Sequence, residues 1–176
     1  QVLLGLDAVR GDGSEHGSAV SRELRHRLIL GNGSNMLFTK DFKGIVMKNA
    51  IKGISTITET DDYIIIKVCS GENFDDFAAY CAKNRYIGPE FLSGIPGQLG
   101  GAVVQNIGAY GHELSMFVQE VEYYNLDTYE VNKINAADCK FGYRQSIFKT
   151  ELSDAAFILS ATLKLSKGKY NPDISY

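Results

Sequence analysis

Apolar and polar positions along the chain alternate in short blocks. "LILGNGSNMLF", from Leu28 to Phe38, reads as a short strand, a tight polar turn and a second apolar run. "GIVMKNAIKGISTITE" and "YIIIKVCSG" are rich in β-branched residues and predict strands. "NFDDFAAYCAKNRY" sets Phe74, Phe77, Ala78 and Cys81 at helical spacing, with Asn73 as cap and Asp75 and Asp76 in the first turn. "FVQEVEYYNLDTYEVNKI" predicts two strands around a turn near 125–128, "AADCKFGYRQSIFK" a loop, and "AAFILSATLKLSKG" a last strand. Ahead of these, "QVLLGLDAV" reads as a strand, "RGDGSEHGS" as a polar joint and "SAVSRELRHR" as a short helix capped by Ser18 or Ser21. Many strands and few helices give the α+β class.

Composition narrows the partners. The 176 residues suffice for one domain or two small ones, and 44% hydrophobic with 22% charged residues is ordinary for a soluble globular chain. A net charge of −3 argues against nucleic acid held on a broad basic face. The apolar runs are too short to span a membrane, and the N-terminus shows no basic region followed by an apolar core. Cys69, Cys81 and Cys139 fit neither a zinc motif nor a disulfide framework; they read as buried or half-buried thiols in a reducing, cytoplasmic setting. His16, His26 and His112 lack metal-ligand spacing, so no metal is expected.

Three clusters carry candidate chemistry. "SGIPGQLGGAVVQNIGAYGHE" (93–113) holds six glycines in twenty-one residues and is otherwise apolar. Glycine serves where φ is positive or where another group must touch the backbone. Gly97, Gly100, Gly101, Gly108 and Gly111 thus expose N–H donors that can cradle an anion or lie against a ring system, with Gln105 and Asn106 adding amide groups. The bland alternative is a packed glycine-rich bend. The second cluster is "GNGSN", Gly31 to Asn35, directly after a strand; Ser34 and Asn35 can meet phosphate oxygens, although the third glycine of a dinucleotide fingerprint is missing and a plain β-turn reads equally well. Two such segments in one small domain favour a large phosphorylated ligand. The third is "CKFGYRQSIFK" (139–149), where Tyr143 and Arg144 adjoin, with Ser146 and Lys149 nearby. Its arginine either polarises a substrate carboxylate or packs at the surface on Tyr143.

Taken in chain order, as "LILGNGSNMLF", the glycine motif and "CKFGYRQSIFK", the three clusters resemble the UDP-N-acetylenolpyruvoylglucosamine reductase family, a flavoenzyme family of bacterial peptidoglycan synthesis, over about Leu28 to Lys167. The resemblance implies an α+β FAD-binding fold of the vanillyl-alcohol-oxidase (PCMH) type, with flavin between two subdomains. By motif, Gly31, Asn32, Gly33, Ser34 and Asn35 match the pyrophosphate loop. Ile95, Pro96, Gly97, Gly100 and Gly101, with Asn106, Gly108, Ala109 and Tyr110, match flavin-contacting segments, and Ile158 matches a further flavin-side position. Arg144 matches the arginine that binds and polarises the enolpyruvyl carboxylate. The implied reaction uses NADPH to reduce FAD; hydride then passes to C3 of the UDP-sugar enolpyruvyl ether and a proton is added at C2. The alternatives are an FAD-binding module without catalysis, or another oxidoreductase of the same fold.

The resemblance also divides the chain. Residues 1–27 match neither the motif nor the length of the family's start, 28–52 form an incomplete first FAD-binding subdomain, 53–167 the second, and 168–176 begin a link to a substrate-binding domain. The family's proton-donating serine and second acid, a glutamate, lie in a C-terminal region with no counterpart here. The expectation is therefore an FAD-binding portion, weakly active or inactive alone.

Overall fold

The computed structural model describes residues 26–168; the strand read into "QVLLGLDAV" lies outside it, and so does the short helix read into 18–27 apart from its last two residues, of which Arg27 already stands in a strand. A two-stranded parallel pair comes first, β1 (Arg27–Leu30) beside β2 (Ile45–Lys48), with Leu28 opposite Val46. The main body is a six-stranded sheet in the order β3-β4-β10-β8-β9, built from β3 (Ile54–Glu59), β4 (Tyr63–Cys69), β8 (Val118–Asn125), β9 (Glu130–Asn135) and β10 (Ala156–Lys167). The short β5 (Tyr86–Ile87) also pairs with β10, and every pairing in this sheet is antiparallel. A two-residue hairpin, β6 (Gly108–Ala109) with β7 (His112–Glu113), stands apart. Among the described residues no helix is long and apolar enough to cross a membrane.

Side-chain alternation explains which face is buried. Ile64, Ile66 and Val68 of β4 are fully buried while their neighbours are half-exposed, the period-2 pattern of a one-sided sheet. β10 breaks that period once. Its pairing with β8 slips between Ile158 and Ser160, so Leu159 is an extra residue; Ser160 falls opposite Cys69 and Glu122 with its hydroxyl on the Glu122 carboxylate (3.1 Å), and Ala161 falls opposite Val68 and Val121 in the core. Helix α1 (Phe74–Lys83) covers the buried face with Phe74, Phe77, Ala78 and Cys81, the four residues its spacing predicts. Asn73 Oδ1 accepts from the N–H groups of Asp75 (2.9 Å) and Asp76 (3.1 Å), which makes it the cap the sequence reading names. The predicted hairpin forms as β8 and β9, with Asn125 Oδ1 holding the turn through Asp127 and Thr128 N–H.

One expectation gives way. The glycine-rich stretch folds as a helix in its middle, α2 (Leu99–Gln105). Glycine disfavours helices by about 1 kcal/mol per residue, so propensity argues against α2; tertiary packing overrides it. A Cβ on Gly100 would lie 3.0 Å from Ser70 Cβ and 3.2 Å from its carbonyl oxygen, so α2 approaches the end of β4 at backbone distance. The apolar run after the Gly31–Asn35 turn, Met36 to Phe38, is exposed. The thiols fall as expected: Cys81 and Cys139 are buried and Cys69 half-buried, and burial, with a smaller push from Asp138, raises the Cys139 pKa to about 12.

Phe77 is 1% exposed and meets Phe74 edge to face at 6.0 Å. Phe77→Ala should lower stability by about 3–5 kcal/mol, read as a shifted urea midpoint. Asp75 reports on acid sensitivity. The Gly94 N–H and then the Ser93 hydroxyl, each 2.7 Å from Asp75 Oδ1, hold its carboxyl below the usual 3.8. A depressed folded value stabilises above the unfolded pKa, and that contribution is lost as pH falls through the folded one. Asp75→Asn mimics the protonated state, so its stability deficit against wild type should narrow as pH drops from about 6 to about 2.5, in denaturant titrations across that range.

Candidate functional site

The turn Ser70–Gly71–Glu72, between β4 and α1, organises the site. Its three carbonyls accept from Gly100 N–H (2.8 Å), Gln98 Nε2 (3.0 Å) and Leu99 N–H (2.9 Å). Ser70 N–H reaches Leu159 O in β10 (2.9 Å), Gly71 N–H reaches Ile51 O (2.9 Å), and Asn49 Nδ2 donates to Ser70 Oγ (2.8 Å). Gly71 admits no side chain, because a Cβ would lie 2.6 Å from Ile51 O. One turn thereby ties the segment after β2, the main sheet and the start of α2 together.

This junction brings the first two sequence clusters into contact. Ser34 Oγ donates to Pro96 O (3.1 Å) and Asn32 Nδ2 to Gly97 O (3.4 Å), although the pairs lie more than sixty residues apart in the chain. Gly97 sits at φ 143°, open only to glycine in practice, and its carbonyl also accepts from Phe74 N–H at the start of α1 (3.1 Å). Between and behind the two loops lies a cavity of about 810 Å³. That is within the size of small-molecule and cofactor sites, roughly 300–1,000 Å³.

The predicted residues divide between two cavities. Gly31, Asn32, Gly33, Ser34, Asn35, Ile95, Pro96, Gly97, Gly100, Gly101 and Ile158 line the large one. Asn106, Gly108, Ala109 and Tyr110 line a neighbouring cavity of about 380 Å³, together with His112, Glu113, Met116 and Tyr143. Arg144 lines both. Within the large cavity the glycines differ. Gly100 N–H is bonded to Ser70 and its missing side chain permits helix packing, whereas a Cβ on Gly101 would meet nothing within 4 Å.

Asn106 is fully buried, and its side chain is directed at the protein. It ends α2 in the left-handed region (φ 43°), accepts from Ser115 N–H (2.9 Å), and donates to Glu113 Oε2 (2.9 Å) and Gly142 O (3.0 Å). That last bond props the tight turn in which Gly142 and Gln145 exchange backbone bonds of 3.0 Å, leaving Tyr143 and Arg144 at its tip. Tyr143 is 85% exposed, and Arg144 donates through Nη2 to Gly108 O (2.9 Å), so a hydrogen bond to the β6–β7 hairpin fixes the guanidinium. Lys149 Nζ clamps the same turn, donating to Arg144 O (2.8 Å) and to Gln105 Oε1 (2.9 Å).

Sequence reasoning did not single out Gln98, Asn49, Arg27 or Asp154, all in the lining of the large cavity. Gln98 is the most informative. Its Nε2 faces two carbonyls, Asn49 O (3.2 Å) and Gly71 O (3.0 Å), which fixes the orientation of the amide. Its Oε1 is then left buried without a donor, next to Gly31. Its position inside the quoted glycine motif was the available signal.

The residues present fit an elongated dinucleotide. Two side-chain-poor loops meet along one cavity, Gly101 leaves the cavity side of α2 bare, and Gln98 Oε1 is an unpaired acceptor at the loop junction. Among the described residues the lining carries Arg27, Arg144 and Lys149 against the single carboxylate of Asp154, in a chain of net charge −3.

Comparison with known proteins agrees. The chain is 45% identical over 148 residues to the UDP-N-acetylenolpyruvoylglucosamine reductase of Pseudoalteromonas atlantica, covering 84% of this chain and 42% of that protein. It is 40% identical over 143 residues to the reductase of the same name from Bacteroides fragilis, covering 81% of this chain and 43% of that one. The chain thus spans less than half the length of these relatives. In fold it is similar to the crystal structure of UDP-N-acetylenolpyruvylglucosamine reductase from Thermus caldophilus, at a TM-score of 0.62 and 24% identity, covering 86% of this chain and 53% of that one. Cholesterol oxidase from Brevibacterium sterolicum shares the fold at a TM-score of 0.52 and 13% identity, covering 81% of this chain and 30% of the oxidase. These likenesses bear out the α+β flavin fold expected from the sequence. The FAD binding domain family matches residues 18–129, beginning inside the segment that sequence reading set apart at 1–27. With more than half of its length in that match, the chain belongs to the FAD binding domain family, and its relatives there are UDP-N-acetylenolpyruvoylglucosamine reductases.

Proposed function

We propose that this chain is the FAD-holding part of an NADPH-using reductase that converts UDP-N-acetylglucosamine enolpyruvate to UDP-N-acetylmuramate, a cytoplasmic step of peptidoglycan synthesis that serves cell shape and division. One observation carries the reading: the Gly31–Asn35 and Ile95–Gly101 loops are laced together along one cavity, and Arg144 stands between it and a second. In this reading the large cavity takes FAD, with the pyrophosphate against Gly31–Asn35 and the ring system toward Gly101 and Ile158. FAD, when bound, supplies the hydride-transfer chemistry.

The chain's own groups bind and orient. The smaller cavity takes the enolpyruvyl end of the substrate. Arg144 reaches it with a planar, permanently charged fork, and its bond to Gly108 O leaves further N–H donors for a carboxylate. A guanidinium on that carboxylate stabilises the negative charge that develops there as C3 is reduced. Lys149 and Asn106 hold the turn that aims the arginine. A second reading, an FAD-binding unit that does not turn over by itself, draws on the length of the relatives beyond the matched stretch. The two part at one step: with FAD bound, NADPH bleaches the visible flavin band in the first and not in the second.

Two substitutions separate cofactor from substrate. Gly101→Val adds bulk where the protein has nothing within 4 Å, so the fold should persist with its melting temperature nearly unchanged while FAD affinity falls about tenfold or more in flavin-fluorescence titrations. Arg144→Lys keeps the charge but loses the fork. FAD affinity should hold, while affinity for the enolpyruvyl ether drops about tenfold or more by calorimetry. Equal loss of both ligands in Arg144→Lys would remove the arginine from the substrate role.

A further inference from the structure

The lysine at the end of β2 lies in neither cavity lining, and neither the sequence motifs nor the proposed reaction uses it. Lys48 is paired with Leu30 across the parallel strands, and its side chain curls over the strand end. There Nζ donates to Gly31 O and to Asn32 Oδ1 (3.4 Å). Both partners are neutral oxygens, and the ion pairs found among the described residues do not include Lys48. An ammonium group is thus fixed at the first two residues of the Gly31–Asn35 loop with no carboxylate among the described residues paired to it. The other cations around the cavity divide sharply. Arg27 is paired with Asp127 (2.8 Å), whereas among the described residues the acceptors of Lys149 and Arg144 are neutral oxygens.

We propose that Lys48 is the charge partner of a diphosphate seated on the Gly31–Asn35 loop, and so a residue that selects diphosphate-bridged ligands for the large cavity. The proposal rests on the reading that this cavity takes FAD. Its physical basis is simple. An ammonium left with neutral partners interacts more favourably with an arriving dianion than one already paired, and its attraction falls with added salt. A neutral flavin lacking the phosphates would gain nothing from it. The same chemistry exists in a sugar nucleotide, so the source of the diphosphate must be distinguished by experiment.

The test titrates the 176-residue chain with FAD, riboflavin and UDP-N-acetylglucosamine, in wild type, Lys48→Gln and Lys48→Arg, following flavin fluorescence for the first two and heat for the third. The expected result is a roughly fivefold weaker FAD affinity in Lys48→Gln at low salt, shrinking as salt rises. Riboflavin affinity should stay unchanged, Lys48→Arg should behave as wild type, and the melting temperatures without ligand should agree. FAD affinity untouched by Lys48→Gln overturns the proposal and leaves the FAD reading standing. So does an equal loss for riboflavin, which would mean that the lysine shapes the turn rather than supplying charge. A loss for the sugar nucleotide alone overturns it too, by placing that ligand's diphosphate at the loop. A wild-type chain that binds neither flavin sinks the FAD reading, and this proposal with it.

Discussion

The site hangs from three consecutive backbone carbonyls. Ser70, Gly71 and Glu72 leave β4 at the point where its ladder ends, and a buried carbonyl without a donor costs free energy comparable to a lost hydrogen bond. All three donors come from Gln98, Leu99 and Gly100, the start of α2. The turn therefore fixes where α2 begins, and α2 fixes the floor of the large cavity. The same turn reaches back through Gly71 and Ser70 to Ile51 and Asn49, just after β2. The small parallel pair, the main sheet and the glycine helix are positioned by one set of bonds rather than by separate contacts. Gly71 and Gly100 are glycines for this reason, since each lies where a Cβ would meet backbone.

That arrangement also explains what the sequence could and could not reveal. Helix α1 was legible because a solvated helix packed on a sheet must show apolar residues at its own period, and its cap and acidic first turn lie next to them in the chain. The β8–β9 hairpin was legible because Asn125 closes its turn locally. Helix α2 was hidden because its stability comes from Ser70 and Glu72, far behind it in sequence, and its composition argues against a helix. Gly31–Asn35 and Ile95–Gly101 could be named as ligand loops by their texture, yet their lacing through Ser34 and Asn32 depends on tertiary placement. Asn106 reads as a polar residue in a glycine motif, while its burial and its three bonds follow only from the fold. Gln98 is marked only by its place inside the glycine motif, and Lys48 carries no local pattern at all.

Local charge is the second feature that bulk numbers conceal. A net charge of −3 argues against nucleic acid held on a broad basic face, which is a statement about the whole surface. A cavity follows different arithmetic, because field lines concentrate in concave, low-dielectric walls. Exposed ion pairs such as Lys133–Glu120 (2.9 Å) and Lys167–Glu59 (2.7 Å) are set on the sheet away from the loops, whereas Lys149 and Arg144 face the cavities with neutral partners. The distribution of pairing, more than the count of charges, determines whether an anion is drawn in.

Backbone conformation sharpens the distinction between the two cavities. Asn106, Tyr110 and Arg144 all have positive φ (43°, 51° and 52°), and all three line the smaller cavity. A left-handed conformation costs a non-glycine residue roughly 1–2 kcal/mol, and such residues persist only where the surroundings over-determine them. For Asn106 and Arg144 the bonds that do so are plain. The Asn106 side chain is held by Glu113, Gly142 and Ser115, while the Arg144 carbonyl is held by Lys149 and its guanidinium by Gly108. A relaxed turn at Gly142–Gln145 would aim Arg144 elsewhere. That conformation sets the Arg144 guanidinium in the lining of both cavities.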